Sequence, residues 1–154
     1  MIIRNAKEKD FDNIIESYKA LYARLSECGY GFTLSLNDLP DILKVHMDSK
    51  MNMVAVAEEA NRFCGFISAS IIRLDRKIRF EEASHAGMVN ELYIVPEERK
   101  KGTAKELTLF CEKWLKDNGI TIVECNVVAG NHGAFSYWNK QGYRESTKLC
   151  YKKL

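Results

Sequence analysis

The chain has 154 residues, 46% of them hydrophobic and 29% charged, with a formal net charge of +2. Length and composition predict one domain, residues 1–154, with a real core and the make-up of an ordinary soluble protein. They exclude a nucleic-acid or membrane partner: the charge is small, the basic residues are scattered, and no apolar run approaches the roughly 18 residues of a membrane span.

Ile2 and Ile3 open a short strand. Asp10 is placed to cap a helix along which Phe11, Ile14, Ile15, Tyr18, Leu21, Tyr22 and Leu25 recur at helical spacing, until Gly29, Tyr30 and Gly31 end it. Residues 36–47 predict a second helix, with Pro40 tolerated near its first turn. Strands follow at residues 53–57 and 63–72, joined by a turn at residues 59–62. Residues 73–86 are charged and read as strand ends with a long, mobile connection. Residues 88–95 form a strand that Pro96 stops. Leu107, Phe110, Cys111, Trp114 and Leu115 then mark one apolar face of a helix that ends at Asn118 and Gly119. Residues 120–128 read as a strand whose continuous apolar character predicts a central position. A short helix at residues 134–140 stops at Gly142, and residues 143–151 predict a last strand. The order is β-α-α-β-β-β-α-β-α-β, an α/β (α+β) chain with a mixed sheet and helices on both faces.

Between the strand ending at Pro96 and the helix carrying Trp114 lies Arg99, Lys100, Lys101, Gly102, Thr103, Ala104. A glycine-bearing loop that opens a helix directly after a strand is suited to an anion. The first helical N–H groups have no intrahelical partner, and the helix dipole adds positive potential there. Gly102 permits close backbone approach, Ala104 keeps it free of bulk, and Arg99, Lys100 and Lys101 supply full charges. The glycines of a P-loop or of a dinucleotide-binding fingerprint are missing.

Two segments carry a family resemblance. Leu92, Tyr93, Ile94, Val95, Pro96 and the loop through Ala104 are similar to a strand, proline and [R/Q]-x-x-G-x-[G/A] loop. Asn131, Ala134, Tyr137, Trp138, Gly142 and Tyr143 are similar to an N-x-x-A-x-x-aromatic-aromatic-x-x-x-G-aromatic segment. In this order the chain resembles the GCN5-related N-acetyltransferase (GNAT) superfamily over nearly its whole length, with no subfamily identifiable. The resemblance implies a splayed central sheet of six to seven strands and acetyl-CoA as co-substrate, its pantetheine arm lying in the splay. It implies that Leu92, Tyr93 and Ile94 pair with the arm through their backbone, that residues 100–105, Lys105 included, hold the pyrophosphate, and that Asn131 bonds the arm from the other side. Arg99 and Tyr137 complete the expected donor-binding set. The function implied is acetyl transfer to a primary amine by direct attack through a tetrahedral intermediate. A non-catalytic acyl-CoA-binding or regulatory domain on the same fold is the alternative. The acceptor expected is a small-molecule or peptide amine, and the resemblance makes a homodimer a possible assembly.

Attack on a thioester requires a neutral amine, hence a base. Glu91, the one carboxylate on the strand leading into the donor loop, is the preferred base, and Asn90 stands where many relatives carry their acid. His85, Glu124 and Asn126 are secondary candidates near the same strands. The family's usual Tyr acid is replaced by Trp138, and Tyr137, one residue away, is turned about 100° around the helix. Glu27, Asp38, Asp41, Glu81 and Glu82 are available to attract a cationic acceptor. His132 reads as surface. Cys28, Cys64, Cys111, Cys125 and Cys150, odd in number and irregularly spaced, read as reduced thiols in a cytoplasmic protein; no CxxC pair is present, so no metal is expected. The amino terminus lacks a signal-peptide pattern.

Overall fold

The computed structural model describes residues 1–74 and 79–154. Five strands form one sheet in the order β1-β2-β3-β4-β5. They are β1 (Ile2–Asn5), β2 (Asn52–Glu59), β3 (Arg62–Arg73), β4 (His85–Ile94) and β5 (Val123–Cys125). The first four pair antiparallel in sequence order, and β5 adds to β4 in parallel. The helices are α1 (Phe11–Glu27), α2 (Leu39–Asp48), α3 (Thr103–Asp117) and α4 (His132–Lys140). Among the described residues no helix is long and apolar enough to cross a membrane.

The strand period of two separates the core into two layers. Val54, Val56 and Phe66 meet Ile14, Tyr18, Leu39 and Leu43 of α1 and α2. Met53, Ala55, Ala57, Ile67 and Ala69 meet Leu107, Cys111 and Leu115 of α3, with Trp138 of α4 in the same layer. Helices on both faces and a mixed sheet are therefore as expected.

Three expectations need correction. The sheet has five strands among the described residues, not six to seven. Residues 143–151 form no strand: Leu149 is 85% exposed and Tyr151 55%, so their alternating pattern meets no face to bury against. The strand expected over residues 120–128 shrinks to Val123–Cys125 and lies at the sheet edge rather than the centre. Its apolar residues are buried by α3 and α4 on one side, which mimics the pattern of a two-sided strand. The middle of the charged connection, residues 75–78, lies outside the described residues.

Candidate active site

Two features position the site, and both lie on β4. The first is a bulge. Ser68 of β3 stands opposite Glu91, but the next residue, Ala69, stands opposite Val89. Asn90 is the extra residue, so the side-chain alternation slips by one at this point. Val89 and Leu92 pack in the α3 layer, whereas Glu91 turns to the α1 face. There the Tyr18 hydroxyl donates to Glu91 Oε2 at 2.9 Å, the Ser68 hydroxyl donates to the same oxygen at 2.6 Å, and the Tyr22 hydroxyl donates to Oε1 at 3.3 Å. Burial and then the Glu91 charge push both phenols above their ordinary range, so they remain protonated donors. Asn90 itself donates to Ser70 Oγ at 2.7 Å, and Ser70 donates to Asn52 Oδ1 at 2.6 Å.

The second feature is a parting of strands. β4 pairs with β5 only at Gly87, Met88 and Val89. Beyond that point, β4 is paired through β3 alone, and Leu92, Tyr93 and Ile94 border the opening. Their chain leads through a single 3-10 turn (Pro96–Glu98) into the loop before α3. Lys100 at φ +63° and Gly102 at φ +94° are both left-handed and turn the backbone into a concave nest. Among the described residues, no amide of residues 100–105 donates to a main-chain carbonyl; the first helical bond to cross the turn is Glu106 N–H to Gly102 O at 3.1 Å. A set of unspent amides at a helix start fits a diphosphate, and an unpaired strand edge fits an amide-bearing arm.

The loop's charges are arranged differently from expectation. Arg99 Nε donates to Ile94 O at 3.0 Å, and its guanidinium lies 5.7 Å from the centre of the Tyr93 ring. Lys101 is drawn 3.3 Å from Glu98 Oε1, a carboxylate only 3% exposed, which Arg62 also approaches at 3.7 Å. Lys100 and Lys105 are exposed. Thr103 is buried, its hydroxyl donating to Glu98 O at 3.3 Å, while Ala104 packs against the α3 layer.

The α4 segment packs in the α3 layer. Asn131 caps α4, its Oδ1 accepting from Ala134 N–H at 3.2 Å. Thr108 Oγ1 donates to Ala104 O at 2.9 Å, so the 2.7 Å contact between Thr108 and Tyr137 has the phenol as donor. The Tyr137 hydroxyl is thus spent on α3, and burial raises its pKa. Trp138 is 8% exposed and packs edge-on against Tyr137 and Tyr143.

The other candidates do not gather here. His85 lies at the far end of β4, opposite Arg73, and meets Ser84 Oγ at 2.9 Å. Asn126 reaches only the Met88 sulfur at 3.9 Å, Glu124 is exposed, and His132 is an exposed α4 residue. Burial pushes the Cys125 thiol up to about 11, which removes it as a nucleophile. Sequence reasoning overlooked Tyr18, Tyr22 and Ser68. Their signal was present as two phenols four residues apart on an apolar helix face and one hydroxyl inside an apolar strand.

Residues 18–143 match a family model described as the acetyltransferase (GNAT) family. The chain belongs to that family. It is an N-acetyltransferase, and its acetyl donor is acetyl-CoA. A curated relative, the uncharacterized N-acetyltransferase YhfO of Bacillus subtilis (strain 168), is 25% identical over 150 residues, 96% of this chain and 92% of that protein. Among solved structures, the aminoglycoside 6'-N-acetyltransferase AAC(6')-IG of Acinetobacter haemolyticus has a TM-score of 0.80 at 19% identity, covering 100% of this chain and 98% of that one. Aminoglycoside N-acetyltransferase AAC(6')-Iy in complex with CoA has a TM-score of 0.81 at 16% identity, covering 99% and 93%. The same enzyme with a bisubstrate analogue, CoA-S-monomethyl-acetylneamine, gives 0.78 at 17%, covering 99% and 97%. At these identities the structures speak for the fold.

Proposed function

We propose that this acetyltransferase moves the acetyl group directly from acetyl-CoA to a primary amine, with Glu91 as general base. The observation that carries the reading is the Asn90 bulge, which turns a carboxylate to the α1 face beside the parting of β4 and β5. The opening and the unspent amides of residues 100–105 support the placement of the donor, with Leu92, Tyr93 and Ile94 along its arm, Asn131 across from it, and Arg99 and Tyr137 behind the loop and α4.

The amine arrives as an ammonium, and Glu91 takes one proton, directly or through a water. The freed lone pair attacks the thioester carbonyl carbon. A carbon–nitrogen bond forms, the carbonyl oxygen gains charge that a main-chain N–H on the unpaired β4 edge accommodates, and the carbon–sulfur bond breaks. The amide product and CoA thiolate separate; the second amine proton ends on the thiolate, and Glu91 releases its proton to solvent. Tyr137 donates to Thr108 and Trp138 has no proton to give, so the thiolate leaves without a dedicated side-chain acid. A thiol pKa near 8.5 makes such departure inexpensive.

Glu91→Gln keeps the shape, and its amide oxygen still accepts from Tyr18 and Ser68 while its NH2 replaces the oxygen that Tyr22 reaches, but it cannot take the proton. Thiol release should fall by about 10²-fold or more, the usual range for a general base, with acetyl-CoA affinity little changed. Full activity across the pH range would remove Glu91 from the mechanism.

A further inference from the structure

Glu91 stands at one end of a row of aromatic rings that acetyl transfer by itself does not require. Tyr22, whose hydroxyl donates to Glu91, has its ring centre 6.0 Å from that of Tyr30. Tyr30 is 5.6 Å from Phe32, and Phe32 is 5.6 Å from Tyr151. These rings come from α1, from the connection between α1 and α2, and from the carboxy-terminal segment, so the row is assembled by the tertiary fold. It is held flush at Gly31, where any Cβ would collide with the Tyr151 phenol. Tyr30 is 36% exposed, Phe32 59% and Tyr151 55%, an unusual share of aromatic surface to leave in water beside a reacting carboxylate.

Resting on the acetyl-transfer reading, we infer that the acceptor is a primary amine carried on an aromatic body, its nitrogen at Glu91 and its ring along Tyr22, Tyr30 and Phe32. The charge pattern argues for this class over a polycation. Glu27, expected to attract positive charge, is already paired with Arg24 at 2.7 Å. Glu91 supplies negative charge at one end of the row, and the rest offers ring faces and edges. A row of rings with a carboxylate at one end matches a ligand with one cation and an apolar body.

The test is thiol release by the full chain with phenethylamine, spermidine and kanamycin as alternative acceptors, and acetyl-CoA binding followed in parallel by thermal shift. Phenethylamine should be used with the highest kcat/KM. Tyr30→Ala and Phe32→Ala should each raise its KM by about tenfold, the loss of one ring contact, with the KM for acetyl-CoA unmoved. Phe32→Leu, which keeps apolar bulk, should restore part of that loss and guards against a misfolded variant. Preference for spermidine or kanamycin, or an unmoved phenethylamine KM in both alanine variants, would overturn the acceptor class. A protein that binds acetyl-CoA but acetylates none of the three also overturns it while sparing the donor site. Failure to bind acetyl-CoA would instead bring down the transfer reading itself.

Discussion

Glu91 and Gly102 show how much chemistry depends on one residue's placement. Glu91 was identifiable as the lone carboxylate on an apolar strand, yet its direction was not, because direction depends on the parity of a strand that Asn90 interrupts. Gly102 was legible for a different reason: the loop needs a left-handed residue at that point, and φ is +94°. A Cβ there would meet nothing within 4 Å, so substitution is limited by backbone strain, about 1–2 kcal/mol, rather than by collision. Gly102→Asp should therefore leave a folded protein, by circular dichroism, that no longer gains thermal stability from acetyl-CoA, since a carboxylate then faces the diphosphate. An unchanged affinity would refute the loop assignment.

At the scale of elements, α4 carries an aromatic pair with divided duties. Tyr137 ties α4 to α3 through Thr108, and Trp138 fills the space between Tyr137 and Tyr143 with ring centres 5.1 and 4.8 Å away. The tryptophan at the position where the family resemblance leads one to expect a phenol thus serves packing. Trp138→Ala should cost about 3–5 kcal/mol in denaturant unfolding, with the surviving folded fraction still active. Unaltered stability with lost turnover would instead assign the indole to chemistry. The helices and the four antiparallel strands were readable because each alternation is local. β5 and the carboxy-terminal segment were not, because an apolar run reports burial without saying which neighbour provides it.

Across the molecule, the first strand is locked to the sheet by charge. Arg4 makes a two-pronged contact with Asp10, at 2.6 and 2.9 Å, and also meets Glu58; Lys9 joins Glu58 at 3.2 Å. Asp10 occupies the helix-capping position, but its carboxylate serves Arg4 and the Lys7 N–H rather than α1. Burial opposes ionisation of Asp10, yet the Arg4 and Lys7 hydrogen bonds outweigh it and hold the pKa below the usual 3.8. A carboxyl depressed in the folded state stabilises above its unfolded pKa and loses that contribution as pH falls through the folded value. Asp10→Asn should cost about 1–3 kcal/mol at pH 7, and the gap to the parent should narrow as pH drops below 3.8. A gap independent of pH would show that shape, not charge, is what Asp10 provides.

The amino-acid order alone determined the helices, the antiparallel strands, the left-handed turn before α3 and the family, since each is written in short-range periodicity or in a contiguous motif. Folding decided the rest. The clasp of Tyr18, Tyr22 and Ser68 on Glu91, the approach of Arg62 to Glu98, the edge position of β5 and the aromatic row ending at Tyr151 all join residues far apart in the chain. Such meetings follow from which surfaces bury one another, and no window of neighbouring residues carries that information.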